Sequence, residues 1–162
     1  MKAMIVYASW FGHNRAIAKA LARELTERHV TVVCAPASRI AAQEVVGVDL
    51  LVLGTYTHAG RANRRLRNLC DTIPRRRLDR IAVAIFGTQI AEVMRDGEPG
   101  GVDELVGHLQ SRGYDLALPP LRLGLRGAAT FLPWLGIGDE ERRQLKAFAE
   151  ELLEVCVPAP FI

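Results

Sequence analysis

The sequence has few cysteines. Three occur among 162 residues, and their odd number and wide spacing fit neither a disulfide framework nor the spacing of metal ligands. We therefore expect reduced thiols in apolar surroundings, and no metal site, at Cys34, Cys70 and Cys156.

Long hydrophobic runs are also missing. Charged or polar residues interrupt every apolar run well before the ~20 residues that a membrane span needs, and no stretch of signal-peptide form follows Lys2. A chain of this length that is 49% hydrophobic and 24% charged is expected to form one globular domain over residues 1–162. The sequence predicts a cytoplasmic protein without membrane insertion.

Acidic residues are not in excess, because the formal net charge is +3. Residues 61–80 hold eight arginines against two aspartates. No helix-turn-helix, zinc-finger or aromatic-plus-basic pattern accompanies them, so no nucleic-acid partner is expected. Either these arginines form the solvent side of an ordinary helix, or they attract an acidic partner or a phosphorylated substrate to the rim of a site. They are Arg61, Arg64, Arg65, Arg67, Arg75, Arg76, Arg77 and Arg80.

Short apolar runs alternate with amphipathic stretches along the chain. Strands are predicted at 2–8, 30–35, 48–55, 80–87 and 114–118, the last continuing to 121–125 beyond two prolines. Helices are predicted at 14–29, 61–73, 101–112 (capped by Gly113) and 139–155 (with Asp139 as N-cap), with a weak one at 37–45. The alternation predicts an α/β fold with a doubly wound, five-stranded parallel sheet of order 2-1-3-4-5, and the continuously apolar strand 48–55 at its centre.

In such a sheet, ligands bind where the chain order reverses, which is between the first and third strands. The loop at 9–14 leads directly into a helix N-terminus, where backbone N–H groups and the helix dipole favour an anion. Gly12 allows close approach of the backbone, Ser9 and Asn14 can donate hydrogen bonds to phosphate, and Arg15 adds positive charge. The alternative is that Asn14 or His13 simply caps the helix.

The segment "SWFGHN" (9–14) resembles the phosphate loop of the flavodoxins, which reads Ser/Thr, any residue, Thr, Gly, Asn, Thr. Ser9, Gly12 and loosely Asn14 match, whereas Phe11 and His13 depart from the pattern. The resemblance implies a flavodoxin-like fold, noncovalent binding of FMN, and electron transfer. It places the FMN phosphate against the backbone and side chains of Ser9, Trp10, Phe11, Gly12, His13 and Asn14.

Two further segments carry the resemblance. "LLVLGTYTHAGRANRRLR" (50–67) is similar to the strand and loop that read G-x-P-T in flavodoxins, with Gly54 and Thr57 matching and Tyr56 in place of proline. In "GTQIAEVM" (87–94), taken as the third loop, the Tyr or Trp that many flavodoxins carry is missing. The resemblance implies that these segments enclose the flavin ring, with Tyr56 or His58 stacked on it. The implied contacts are Thr55, Tyr56, Thr57, His58, Ala59, Gly60, Gly87, Thr88 and Gln89.

Three functions remain open from the sequence. The first is an FMN-binding electron carrier whose partner is a redox protein or a small-molecule acceptor, and that partner is acidic if the arginines of 61–80 attract it. The second is a small FMN-dependent oxidoreductase acting on a quinone or porphyrinogen, and the third is a scaffold with a degenerate flavin site. Phe131 and Trp134 form either a satellite core or an exposed apolar patch for a lipophilic substrate or a second copy. No motif of a hydrolase, a metalloprotease or a P-loop enzyme is present.

Overall fold

The computed structural model describes residues 1–57, 61–90, 100–125 and 137–156. Its strands all pair in parallel and form a single sheet of order β2-β1-β3-β4-β5, which confirms the predicted order. The strands are β1 (Lys2–Tyr7), β2 (Thr31–Pro36), β3 (Leu50–Tyr56), β4 (Ala82–Ile90) and β5 (Leu121–Leu125). The helices are α1 (His13–Glu27), α2 (Arg64–Thr72), α3 (Arg75–Leu78), α4 (Gly101–Ser111) and α5 (Asp139–Cys156), with a 3₁₀ helix at Ala42–Val45.

Strand β3 is covered on both faces. Leu51 and Leu53 join the core under α2 and α4, whereas Leu50 and Val52 join the core under α1 and α5. Successive side chains of a strand point to opposite faces, so a strand with helices on both sides is apolar at every position. This explains the uninterrupted apolar run at the centre of the sheet.

The helices bury the apolar stripes that the sequence predicts. Ile17, Leu21 and Leu25 are buried along α1, and on α2 and just after it the buried residues are Leu66, Leu69, Cys70 and Ile73. Gly113 ends α4 in the left-handed region at φ +83°, as predicted. The three cysteines are free thiols: Cys70 is buried, and Cys34 and Cys156 are half-buried.

Several predicted boundaries were wrong. Residues 114–118 are not a strand, although Ala117 N–H donates to the Val83 carbonyl at 2.8 Å. Pro119 and Pro120 have no N–H to extend a ladder, so β5 begins only at Leu121. The helix predicted at 37–45 is reduced to one 3₁₀ turn, and the helix predicted from residue 61 begins at Arg64.

The last helix also differs at its start. Arg142 N–H donates to the Gly138 carbonyl at 3.0 Å, so Asp139 is the first helical residue and not the N-cap.

Four sets of predictions lie outside the described residues: His58, Ala59 and Gly60 near the predicted site, residues 91–94, Phe131, and Trp134. Among the described residues, no helix combines the length and apolarity needed to cross a bilayer.

Candidate functional site

The candidate site lies at the carboxyl ends of β1, β3 and β4. The sheet register places Tyr7 beside Gly54 and Tyr56 beside Thr88, so the three strand ends reach the same edge. Ala8 N–H donates to the Gly54 carbonyl at 2.8 Å and continues this alignment into the loop after β1. This edge contains the switch point at which the strand order reverses.

The loop at 9–12 makes a tight turn into α1. Gly12 precedes the helix with φ +93°, in the left-handed region that a side chain disfavours. Its N–H donates to the Ser9 Oγ at 3.0 Å, and its carbonyl accepts the first intrahelical hydrogen bond, from Ala16, at 3.0 Å. The amides between Gly12 and Ala16 therefore belong to the helix N-terminus, where they project toward the loop.

Asn14 does not cap α1. The N-cap residue is Gly12, so neither Asn14 nor His13 occupies the N-cap position. Asn14 is instead 1% exposed, and its Nδ2 donates to the Ala8 carbonyl at 2.8 Å, which ties the loop to β1. Its Oδ1 is buried without a hydrogen-bond partner, an unsatisfied acceptor close to the turn.

Aromatic side chains surround the loop. Trp10 and Phe11 are each 59% exposed and stack with ring centroids 5.9 Å apart and an interplanar angle of 17°. Trp10 also meets the half-buried Tyr56 edge-on at 6.2 Å. The Tyr56 hydroxyl accepts a hydrogen bond from Asn63 Nδ2 at 3.2 Å. Phe11, which departs from the flavodoxin pattern, thus belongs to an exposed aromatic surface next to Tyr56.

The threonines at the end of β3 hold neighbouring backbone. Thr55 is fully buried, and its Oγ1 accepts from the Asn63 N–H at 3.3 Å. Thr57 Oγ1 accepts from the Gly101 N–H at 2.9 Å and so connects β3 to the start of α4. These hydroxyls therefore hold the backbone of Asn63 and Gly101 next to the end of β3.

Residues 87–90 lie in β4 and not in a loop, because β4 pairs with β3 up to Thr88 and with β5 up to Ile90. Gly87 is packed tightly, since a Cβ there would lie 2.2 Å from a methyl carbon of Val102. Thr88 is 6% exposed, and Gln89 is half-buried. Of these predicted contacts, Gln89 has the most accessible side chain.

Asn63 was not among the predicted site residues. Its Oδ1 accepts from the Arg65 N–H at 2.9 Å and caps α2, while its Nδ2 holds Tyr56. An asparagine just before an amphipathic run is a recognisable N-cap signal, so this position could have been found.

The arginine-rich segment contains both structural and exposed side chains. Arg67 pairs with Glu104 at 3.0 Å, and Glu104 also accepts from the Ala62 N–H, which joins α2 to α4. Arg65 instead faces a cavity of about 470 Å³ that it shares with Arg15 and Arg39. Arg39 follows β2 and was not predicted. The 2-1-3 strand order, which brings that loop next to the loop after β1, was the available signal.

Comparisons with known proteins agree with this geometry. A family model of the flavodoxin domain matches residues 4–116. The chain therefore belongs to the flavodoxin domain family. No curated protein matches it.

Among similar solved structures is oxidised flavodoxin 2 from Bacillus cereus, at 24% identity and a TM-score of 0.71, covering 95% of this chain and 99% of that one. The flavodoxin of Streptococcus pneumonia TIGR4 has 20% identity and a TM-score of 0.72, covering 94% and 97%. Rubredoxin oxygen:oxidoreductase from Desulfovibrio gigas has 18% identity and a TM-score of 0.73, covering 96% of this chain and 36% of that one. These similarities establish the fold.

Proposed function

We propose that this protein binds FMN noncovalently and transfers electrons to and from redox partners. One observation carries the proposal: the left-handed Gly12 turn at the N-terminus of α1, at the switch point of the sheet. A helix N-terminus preceded by such a turn presents backbone N–H groups to an anion without a Cβ in the way. Membership of the flavodoxin domain family supports the same ligand.

The residues present fit the cofactor. The amides that follow Gly12 and the Ser9 hydroxyl hydrogen offer donors to the phosphate, and Arg15 adds charge from the first turn of α1. The buried Asn14 Oδ1 lacks a donor, which a hydroxyl of the ribityl chain would supply. FMN, when bound, supplies the redox chemistry.

Aromatic and polar groups of the strand ends would hold the flavin ring. Tyr56 is oriented by Asn63 and Trp10, so it can form an apolar wall with little loss of side-chain entropy on binding. We assign the polar edge of the ring to Gln89 and the backbone at the end of β4. The exposed Trp10 and Phe11 and the nearby arginines suit a redox partner that combines an apolar contact with acidic groups.

The deciding experiment compares two glycines that share the same backbone conformation. Gly12 has φ +93° and Gly47 has φ +81°, but Gly47 lies before β3, at the opposite end of the sheet. Valine at either position imposes backbone strain of about 1–3 kcal/mol. We expect Gly12→Val to weaken FMN binding at least about tenfold, equivalent to ~1.4 kcal/mol, while Gly47→Val binds as the parent does.

Binding is measured by FMN fluorescence quenching and by the visible absorbance of the protein after FMN is added. Gly12→Asn is a second variant if valine prevents folding, because asparagine tolerates the left-handed region but still places a side chain at the turn. Equal FMN affinities for the parent, both Gly12 variants and Gly47→Val would exclude this loop as the phosphate site. Failure of the parent to bind FMN would favour the degenerate scaffold.

A further inference from the structure

The cavity beside the phosphate loop is lined by arginines from three separate parts of the fold. Arg15 lies in the first turn of α1, Arg39 in the loop after β2, and Arg65 in the first turn of α2. Among the residues that the structure describes, no aspartate or glutamate lines the cavity. We refer to it as the arginine cavity.

Five other arginines that the structure describes form ion pairs with carboxylates, whereas these three do not. In the part of the chain that the structure describes, none of the three forms an ion pair. Arg67 on α2 and Arg112 after α4, by contrast, pair with Glu104 and Asp71. Three arginines that line one cavity without a described carboxylate give it a positive potential, which attracts an anion. Their planar donor geometry suits phosphate oxygens.

The arginine cavity is distinct from the place proposed for the flavin ring. It lies toward β2, at the ends of β1 and β2 and against the N-terminus of α2. Thr55, Tyr56, Thr57, Thr88 and Gln89 do not line it. A flavin whose phosphate occupies the loop after β1, and whose ring extends toward β3 and β4, would fill the part of the arginine cavity next to Ser9 and Gly12 and would leave the part next to Arg39 and Arg65 open. This step rests on the proposed function.

We propose that the arginine cavity binds a second phosphate group, adjacent to the phosphate of the flavin. Ser9 and Gly12 line the cavity, so it is continuous with the phosphate loop. Ser38 and Asn63 add neutral hydrogen-bonding groups to the three arginines. The volume of about 470 Å³ lies within the ~300–1,000 Å³ usual for small-molecule sites.

A nucleotide is the ligand chemistry that this lining favours. Trp10 lines the cavity and is 59% exposed, so it offers an aromatic face on which a base can stack. The second phosphate has two possible sources. It is either the AMP phosphate of FAD, which a pyrophosphate bond joins to the flavin phosphate in the loop, or a phosphate of a separate nucleotide that binds beside FMN.

The first test compares FMN with FAD. The flavin-free protein is titrated with each, in the parent and in Arg39→Gln and Arg65→Gln, with Arg64→Gln as the control. Arg64 is exposed, adjoins Arg65 in sequence and does not line the cavity, so its variant removes the same charge from the same helix. If FAD supplies the phosphate, the parent binds FAD at least about tenfold more tightly than FMN, and the Arg39 and Arg65 variants lose that preference.

In the second test, the FMN-loaded protein is titrated with inorganic pyrophosphate, and calorimetry measures the binding. Pyrophosphate binding that Arg39→Gln and Arg65→Gln abolish, and Arg64→Gln retains, supports the proposal with a separate nucleotide as the source. No preference for FAD, together with no pyrophosphate binding that depends on Arg39 or Arg65, overturns it. If neither flavin binds, the proposed function fails, and pyrophosphate titration of the flavin-free protein still decides the cavity by the same comparison of variants.

Discussion

Two glycines of α4 should respond oppositely to alanine. An ideal Cβ on Gly101 would lie 2.6 Å from the Tyr56 carbonyl oxygen and 2.9 Å from the Arg61 carbonyl oxygen, whereas ordinary contact begins at 3.4 Å. Both obstacles are backbone atoms, so no side-chain rotation can relieve the clash. The start of α4 or the end of β3 must shift by roughly 0.8 Å, and overpacking of this kind costs about 1–3 kcal/mol.

Gly107 is the matched control in the same helix. It is exposed, and a Cβ there would meet no described atom within 4 Å. Gly107→Ala should raise the free energy of unfolding by about 0.5–1 kcal/mol, because alanine restricts the unfolded chain and favours the helix. The two variants should therefore differ by about 1.5–4 kcal/mol.

Urea unfolding followed by far-UV circular dichroism measures this difference. With a slope of about 1–3 kcal/mol/M, the midpoints of the two variants should be separated by roughly 1 M. FMN affinity gives a second readout, since the clash at Gly101 displaces the Tyr56 backbone, whereas alanine at position 107 meets no described atom. If Gly101→Ala unfolds at the same urea concentration as the parent and binds FMN equally well, the backbone around Gly101 is not tightly packed and the prediction is wrong.

Two further predictions concern ionisable groups. The Gly100 N–H and then Arg122 hold the pKa of Asp103 below its usual range, so its stabilising contribution exists above the unfolded-state pKa of ~3.9 and is lost as the pH falls through the lower folded value. At pH 7 the free energy of unfolding of Asp103→Ala should therefore be lower than that of the parent, by less than about 1 kcal/mol because the Asp103 side chain is 42% exposed. This difference in free energy should disappear in acid. A difference that does not change with pH would contradict the prediction. Burial raises the pKa of Cys70 to about 12, so iodoacetamide at pH 8 should label the half-buried Cys34 and Cys156 before Cys70. Peptide mass spectrometry measures the labelling of each cysteine, and equal rates for all three would contradict the prediction.

Local patterns were enough to predict most of the fold. Hydrophobic periodicity identified the strands and the long helices, and the continuous run of β3 indicated a strand covered on both faces. These features depend on residues close together in sequence, and the right-handed crossover rule then restricts the strand order. Gly12 was likewise recognisable, because a glycine between a strand and a helix indicates a turn that a side chain would hinder.

The tertiary structure decided which groups meet across elements. Gln89 belongs to β4 because pairing with β5 extends that strand, and this pairing has no local signal. Asn14 bonds to Ala8 and not to its own helix, and Arg39 shares a cavity with Arg15 and Arg65 only because β2 lies beside β1. Such contacts depend on how separate elements pack. Residue type therefore determines that these side chains are polar, while strand register and loop geometry determine how far they are buried and what they can bind.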